Sequence, residues 1–360
     1  MIKAISKLKS LARLIGILVA ACPAAKYAWV YTKILERQKF LALLKHNNNY
    51  EVKINLPDTI LEDLFWWLSN IDTTRNFMRQ PKFAIEIYTD ASRSGWGSIY
   101  KNTQVHGKWK SSEKEFHINY LELMAAFLGL KSFTSEVTNC EILLRMDNTT
   151  AISYINRMGG IQYTHLNDLA RSLWKWCEQR NLWVYASYVN TKENRADTAS
   201  RIVNSDTEWS LSNEAFQSII NHFGQPEIDL FASRDNTKCA KFISWKQDPD
   251  AVSVDAFTAD WNNYYFYAFP PFSLILKCLR KIIYDNAHGI IVYPNWPSQP
   301  WFPLLQKLIV SDAIYLNPNK NLLQSHFREY HPLHKNLTLG VARLSGRRSV
   351  DGAPAHTPLH

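Results

Sequence analysis

The spacing of apolar and polar positions changes along the chain and predicts alternating strands and helices. An alternating β-rich run over 85–89 and an apolar run over 141–146 predict two strands. Residues 118–133 form a strongly helical stretch, and over 165–180 apolar residues recur every three or four positions, which predicts an amphipathic helix. Strands and helices therefore follow one another closely in this part of the chain.

Other elements are indicated by turn and capping signals. Residues 83–110 predict three strands, the last two joined by a turn at Asn102-Thr103, and Leu182 to Ala186 predicts the final strand. A helix near 149–158 is expected to be capped by Asn148 or Thr149 and to stop at Gly159-Gly160.

The segments on either side are also partly predictable. Residues 27–44 predict one continuing amphipathic helix, and residues 61–68 predict a short helix with Asp63 towards solvent and Phe65 and Trp66 packed inward. Further along, the pattern predicts a helix over 213–223 and, over 228–233, a strand that ends in a small-residue turn. Gly, Arg, Ser, Pro and His dominate the C-terminus, so residues 341–360 are expected to be a disordered tail.

Four carboxylates stand in the local settings that a shared metal site requires. Asp90 and Asp147 each end a predicted strand, whereas Glu122 and Asp197 lie in predicted helices. Clustered carboxylates remain ionised only when cations neutralise them, and carboxylate oxygens favour Mg²⁺ or Mn²⁺. Two such ions would stabilise the attacking water and the leaving oxygen in hydrolysis of a phosphodiester. Taken singly, each acid also fits an ordinary cap or a solvated side chain, but the ordered set indicates a nuclease.

Four motifs carry a resemblance to a known family. They are Tyr88-Thr89-Asp90-Ala91-Ser92, Asn119-Tyr120-Leu121-Glu122, Met146-Asp147-Asn148 and Asn194-Arg195-Ala196-Asp197. Over roughly residues 83–203 they resemble a type 1 ribonuclease H, most closely the version fused to the reverse transcriptase of DIRS-type retrotransposons. This resemblance implies an α/β fold with a mixed five-stranded sheet flanked by helices. It also implies cleavage of the RNA strand of RNA–DNA hybrids with two Mg²⁺ or Mn²⁺ ions.

The resemblance assigns roles to the four acids. Asp90 would bridge both ions, and Asp197 would help to hold one of them. Glu122 and Asp147 would hold the ion that activates water.

Three more residues near these motifs bear on the activity. Asn148 and Arg195 are candidates for contacts with the nucleic acid strands. Tyr188 stands where the family usually carries a histidine that is thought to assist product release or proton transfer. We therefore expect a slowed or altered enzyme rather than an inactive one.

A second resemblance covers residues 208–340. It rests on Ile228-Asp229-Leu230-Phe231-Ala232-Ser233, Val254-Asp255-Ala256-Phe257 and Phe269-Pro270-Pro271-Phe272. These resemble the methyltransferase-like domain that follows ribonuclease H in DIRS-type elements, which is similar to Dam-type adenine-N6 DNA methyltransferases. The implied fold is Rossmann-like α/β. Asp229 and Asp255 become candidates for binding a nucleoside ligand, and Phe272 for stacking on a flipped base.

Two differences from the motifs of that family argue against methyltransferase activity. Phe269 replaces the Asp or Asn that accepts hydrogen bonds from the target amine, and residues 228–233 lack the glycine that would make room for the cofactor. We expect no use of S-adenosylmethionine. We instead favour a Rossmann-like fold that is retained for packing or for binding nucleic acid.

Charge and cysteine content bear on the binding partners and on the cellular compartment of the chain. The chain carries a net charge of +9, and residues 1–48 hold nine Lys and Arg against the single acid Glu36. This basic helical segment is consistent with contact to a phosphate backbone, although a surface excess of lysine explains it equally well. The five cysteines are scattered without a C-x-x-C spacing, which suits a reducing compartment, nuclear or cytoplasmic.

The N-terminal 48 residues resemble the last helices of a retroelement reverse transcriptase. The apolar run over 14–21 is too short for a membrane span and is followed by Lys26, so neither a signal peptide nor a membrane partner is expected. Residues 49–80 would connect this helical remnant to the ribonuclease H-like domain, residues 81–203. Since the sequence lacks the polymerase palm, polymerase activity is not predicted, and a palm on another chain becomes a candidate partner.

Two hypotheses follow from the sequence. In the first, the chain is a retroelement-derived ribonuclease H. In the second, it is a catalytically decayed nucleic-acid-binding or scaffolding protein.

Overall fold

The computed structural model of the chain describes residues 7–77, 82–201, 209–325 and 328–347. The chain divides into two compact units, residues 1–202 and residues 203–360. The limits expected at residues 81, 203 and 208 lie outside the described residues, as does residue 348 onward.

The first unit begins with three helices. They are α1 (Leu8–Ala21), α2 (Lys33–Lys45) and α3 (Ile60–Asn70). The prediction of one continuous helix over 27–44 is wrong, because Tyr27 has a positive φ of 66° and a short 3-10 helix precedes α2. The Tyr27 hydroxyl donates to the carbonyl of Leu182 at 2.6 Å, and its ring packs near Trp174 and Trp183. Anchoring of this side chain accounts for the break in the helix.

A mixed five-stranded sheet forms the centre of the first unit. Its strands are β1 (Ile85–Ala91), β2 (Gly95–Tyr100), β3 (Thr103–Lys108), β4 (Glu141–Met146) and β5 (Trp183–Tyr188), in the order β3-β2-β1-β4-β5. β1, β2 and β3 form antiparallel pairs, whereas β4 runs parallel to both β1 and β5. The expected mixed five-stranded sheet is confirmed.

Four helices accompany the sheet. They are α4 (Ile118–Thr134), α5 (Thr149–Asn156), α6 (Thr164–Gln179) and the short α7 (Asp197–Ser200). α4 is buried on most sides, and α5 ends where Met158 and Gly159 take positive φ values. α7 approaches β2 so closely that a Cβ on Gly97 would collide with the backbone nitrogen of Ser200. Glycine is therefore required where α7 crosses the sheet.

The orientation expected for α3 is wrong for Asp63 and Phe65 and right for Trp66, which packs against the core. Asp63 is completely buried, whereas the Phe65 side chain is 63% exposed. Asp63 accepts a hydrogen bond from Arg171 of α6, which also donates to Glu62 at 3.2 Å and to the carbonyl of Val30 at 3.3 Å. An ion pair across helices outweighs the local preference of an acid for solvent.

The second unit is a separate α/β unit built on a mixed seven-stranded sheet. The strands are β7 (Ile228–Asp229), β8 (Lys241–Ser244), β9 (Ser253–Val254), β10 (Tyr265–Ala268), β11 (His288–Pro294), β12 (Ile314–Leu316) and β14 (Leu339–Ser345). Their order is β12-β14-β11-β10-β7-β8-β9. The five strands β11-β10-β7-β8-β9 run parallel, and β14 is antiparallel to both of its neighbours. The expected second α/β domain is confirmed.

Smaller elements complete the second unit. β6 (Ser210–Leu211) pairs with β13 (Leu323–Gln324), and the helices are α8 (Asn213–Phe223), α9 (Ile275–Tyr284) and α10 (Phe302–Leu308). α8 has the predicted bounds, whereas the strand expected over 228–233 is confined to β7. Beyond β7 the chain turns, and Asn236 accepts a hydrogen bond from the backbone nitrogen of Ser233 at 2.7 Å.

The prediction of a disordered tail from residue 341 is wrong for residues 341–345. They belong to β14, which pairs along its whole length with β11 and buries Val341, Ala342 and Leu344. Pairing with a strand some fifty residues earlier, His288–Pro294, stabilises this segment, and composition alone does not reveal it. Among the described residues, no helix is both long and apolar enough to span a membrane.

Candidate active site

Three of the four predicted acids meet at one edge of the first unit's sheet. Asp90 lies near the end of β1, Asp147 directly follows β4, and Glu122 lies in α4. One carboxylate oxygen of each lies within 4.8 Å of the others. Because β1 and β4 are parallel neighbours, their carboxyl ends share an edge, and α4 brings Glu122 to the same point. The structure therefore brings Asp90, Glu122 and Asp147 together.

Glu122 is held inside the fold. Its side chain is only 5% exposed, and it accepts a hydrogen bond from the backbone of Ala91. Its other oxygen, Oε2, is buried and has no hydrogen-bond partner among the described residues. A buried carboxylate oxygen without a donor is costly unless a cation or a proton satisfies it.

The electrostatics of the cluster follow from burial and like charge. Burial raises the pKa of Glu122 to about 9, and the charges of Asp90 and Asp147 add to the rise. Burial also raises the pKa of Asp90 to about 6, and the charges of Asp147 and Asp197 contribute in the same direction. Both shifts favour protonation of the cluster when no cation neutralises it.

The donor set fits a hard divalent cation. The three acids offer only carboxylate oxygens, the ligand type that Mg²⁺ and Mn²⁺ prefer, and the unpartnered Oε2 of Glu122 would gain a partner. When bound, such an ion would supply charge neutralisation and Lewis acidity. Asp90, Glu122 and Asp147 are the side chains that would hold it.

Asp197 stands beside this group but is not one of its members. It is the first residue of α7, and its Oδ1 accepts a hydrogen bond from Nη2 of Arg201 at 2.7 Å. Its charge is close enough to raise the pKa of Asp90. The fourth predicted ligand is thus near the cluster and paired with a cation of its own helix.

Two predicted nucleic-acid contacts have defined surroundings. Asn148 caps α5, since its Oδ1 accepts from the backbone nitrogen of Ala151 at 2.9 Å, and its Nδ2 donates to Asn119 at 3.0 Å. The expected cap is confirmed. Arg195 is exposed, with its guanidinium 5.3 Å from the centre of the Tyr88 ring. Both side chains lie next to residues of the acid motifs.

Three polar side chains around the cluster were not predicted from the sequence. Asn119 contacts Asn148, Thr191 donates to Asp147 at 2.6 Å, and Asn194 donates to Asp90 at 3.3 Å. Asn119 and Asn194 lie inside the motifs that carry the resemblance, so their position was a usable signal. Nothing in the sequence around Thr191 marks it.

Tyr188 ends β5 and pairs with Met146, the residue before Asp147. Its side chain is 55% exposed. Tyr188 is therefore on the strand next to Asp147, with its ring largely in solvent.

In the second unit, the Asp229 carboxylate is bound by its own chain. Its oxygens accept from the backbone nitrogens of Phe231 at 3.2 Å and Lys238 at 3.1 Å, and the side chain is buried. Burial raises its pKa to about 6 in spite of these two donors. Asp229 thus organises the turn that follows β7.

Asp255 and Phe272 have different surroundings. Asp255 is exposed, has a φ of 62° and accepts a hydrogen bond from the backbone nitrogen of Phe257 at 3.0 Å. Phe272 is half-buried, with ring centres 5.3 Å from Trp296 and 6.3 Å from Phe269. Phe272 therefore packs among aromatic rings near the Pro-Pro turn.

Comparison with known proteins gives different results for different parts of the chain. The family model described as DNA N-6-adenine-methyltransferase (Dam) matches residues 198–318. The enzymatic polyprotein of Carnation etched ring virus is 27% identical over 146 residues, which cover 33% of this chain and 22% of the polyprotein. The chain thus matches about a fifth of the length of that relative.

The solved structures to which parts of this chain are similar include two kinds of enzyme. LC11-RNase H1 in complex with an RNA/DNA hybrid aligns with a TM-score of 0.28 and 18% identity, covering 32% of this chain and 92% of that one. Prototype foamy virus protease-reverse transcriptase aligns with a TM-score of 0.23 and 14% identity, covering 47% of this chain and 23% of that one. The chain is therefore similar to viral polyproteins, to ribonuclease H structures and, over residues 198–318, to the Dam family.

Proposed function

We propose that the first unit is a metal-dependent nuclease of the ribonuclease H type that cleaves the RNA strand of RNA–DNA hybrids. The observation that carries this proposal is the three-acid cluster, in which Oε2 of Glu122 is buried without a partner. Purely structural acids are normally satisfied by donors of the protein, whereas a metal centre leaves ligand oxygens free. We further propose a DIRS-type retroelement as the origin of the chain.

We propose different roles for the individual residues of the cluster. The ion that polarises water would be held by Asp90, Glu122 and Asp147. Asp197 would help to hold a second ion after its ion pair with Arg201 is broken. Asn148 and Arg195 are the proposed contacts to the nucleic acid strands, which is supported by the hydrogen bond of Asn148 to Asn119 and the packing of Arg195 on Tyr88. A reverse transcriptase palm on another chain is the proposed protein partner.

The test is cleavage of a hybrid labelled separately on its RNA and DNA strands. We expect RNA fragments in Mg²⁺ or Mn²⁺, none in EDTA, and none from Asp90→Asn or Asp147→Asn. Asp168→Asn, an exposed acid of α6, is the matched control and should cleave normally. RNA cleavage that persists in EDTA or in Asp147→Asn would overturn the proposal.

One observation favours the second candidate function, a decayed nucleic-acid-binding protein. The Arg201–Asp197 ion pair satisfies the fourth acid without a metal. In that case the chain should bind hybrid with an affinity that falls steeply with salt but should not cleave it in Mg²⁺ or Mn²⁺.

A further inference from the structure

The loop that follows β5, Asn190–Asn194, contacts two of the clustered acids. It approaches the cluster through two uncharged donors. Thr191 reaches Asp147 from one end of the loop, and Asn194 reaches Asp90 from the other.

The first contact fixes one oxygen of Asp147. Thr191 Oγ1 donates to Oδ2 of Asp147 at 2.6 Å, a short distance that is typical of a hydroxyl bound to a carboxylate. Asp147 lies outside the hydrogen-bonded strand, since β4 ends at Met146. The hydroxyl therefore restricts the rotation of a side chain that follows the last residue of a strand.

The second contact ties Asp90 to the same loop. The Asn194 side chain is buried, and its Nδ2 donates both to the carbonyl of Thr89 at 3.0 Å and to Oδ1 of Asp90 at 3.3 Å. Its Oδ1 accepts from the backbone nitrogen of Ala196 at 3.2 Å, which fixes the orientation of the amide. The amide thus links β1, the loop and the start of α7.

The loop does not need Thr191 in order to close. The backbone nitrogens of Glu193 and Asn194 donate to the carbonyl of Asn190 at 2.8 and 2.9 Å, and the Asn190 side chain accepts from Lys192 at 3.0 Å. Thr191 is itself exposed. Its hydroxyl is therefore available for a role other than stabilising the turn.

We propose that Thr191 and Asn194 are positioning residues that hold Asp147 and Asp90 in the arrangement that binds a divalent cation. This proposal rests on the proposed function of the cluster. Donors that orient ligating carboxylates commonly change metal affinity by about 10- to 100-fold when they are removed. The role concerns affinity for the ion rather than the chemical step.

The deciding variant is Thr191→Val, which keeps the shape of the side chain and removes the donor. Mn²⁺ affinity of the full chain, measured by electron paramagnetic resonance without nucleic acid, should fall about tenfold. Thr191→Ser, which retains a hydroxyl, should bind Mn²⁺ like the wild type. Thr103→Val, an exposed threonine of β3, is the matched control and should also be unchanged.

Hybrid cleavage gives an independent readout. In Thr191→Val the Mg²⁺ concentration for half-maximal rate should rise about tenfold, while kcat at saturating Mg²⁺ should stay near the wild-type value. Asn194→Ala should show the same split. Because Asn194 is buried, the melting temperature of Asn194→Ala is measured alongside. If Asn194→Ala does not fold, the result for Thr191→Val decides between the outcomes.

The outcomes separate the two proposals. Equal Mn²⁺ affinity of wild type and Thr191→Val would overturn the positioning role and leave the nuclease proposal intact. A weaker Thr191→Val site in a chain that cleaves no hybrid would support the positioning role and reject the nuclease. A wild type that binds no Mn²⁺ would overturn both.

Discussion

Glu122 is a carboxylate that the fold buries without providing a second donor. Its Oε2 has no partner among the described residues, and the charges of Asp90 and Asp147 oppose its ionisation. Such an arrangement destabilises the folded state in the absence of a cation. It is the expected property of a residue selected for binding rather than for stability.

Glu122→Gln should therefore separate stability from metal binding. In EDTA we expect its melting temperature to equal or exceed that of the wild type by a few degrees, because a neutral amide replaces a poorly solvated acid. The rise in melting temperature that Mg²⁺ gives the wild type should disappear.

Thermal unfolding followed by circular dichroism, with and without Mg²⁺, measures both effects. Glu136→Gln, an exposed acid just after α4, is the matched control. A clear loss of stability of Glu122→Gln in EDTA would show that Glu122 is a structural acid.

Tyr188 leads to a second prediction at the residue scale. A phenol has an ordinary pKa of about 10, whereas an imidazole titrates near neutrality and can exchange protons there. Tyr188 lies on the strand beside Asp147 and is mostly exposed, so a histidine would fit. We expect Tyr188→His to raise the multiple-turnover rate of hybrid cleavage several-fold.

Tyr185→His provides the control for this change. Tyr185 is exposed on the same strand but lies on the opposite face of the sheet, because successive side chains of a strand alternate. A rate increase in both variants, or in neither, would mean that the position of residue 188 has no special relation to the site.

At the scale of elements, α3 and α6 are joined by buried charge. Arg171 of α6 pairs with the fully buried Asp63 of α3, and its guanidinium lies 5.3 Å from the centre of the Tyr31 ring. Trp66 of α3 donates to Glu178 of α6 at 2.8 Å. The segment expected to be a connection is thus packed as part of the first unit.

Arg171→Met should be strongly destabilising, by about 3–5 kcal/mol, because it leaves Asp63 buried without its partner. The double variant Asp63→Leu/Arg171→Met should recover much of the loss, since it removes both charges. Urea unfolding measures both. Lys175→Met, which removes only the contact to the exposed Glu62, should cost no more than about 1 kcal/mol.

A double variant no more stable than Arg171→Met alone would contradict this account. It would mean that the shape of the two polar side chains, and not their pairing, holds α3 against α6.

Local sequence signals determined most elements but not their long-range partners. α8 begins with a Ser212 cap and has the predicted bounds, and the strands of the first unit's sheet follow from alternating runs, apolar runs and turn signals. Three features depend on residues far away in sequence. They are the break in the helix at Tyr27, the burial of Asp63 and the strand conformation of residues 341–345. Such contacts leave no local periodicity from which they could be predicted.

The same distinction holds for the candidate site. Asp90, Glu122 and Asp147 were predictable because each has a defined place on a strand end or a helix. The pairing of Asp197 with Arg201 and the contact of Thr191 with Asp147 depend on side-chain conformations, which no motif encodes.

At the scale of the whole molecule, two α/β units of different topology occur in one chain. The acid cluster belongs to the first, and the segment that matches the Dam family lies mostly in the second. Chemistry in one unit therefore carries no implication for chemistry in the other, and each requires its own assay.

The second unit leads to the last prediction, that the chain does not methylate DNA. Transfer to an adenine amine needs an acceptor that orients the nitrogen, and Phe269, which the resemblance aligns with that acceptor, is an apolar ring packed near Phe272. Asp229 already accepts two backbone hydrogen bonds from its own turn. Purified protein incubated with tritiated S-adenosylmethionine and unmethylated duplex or single-stranded DNA should therefore leave adenine unlabelled. Label above the level of a Pro270→Ala variant would contradict this prediction and identify the second unit as an active methyltransferase.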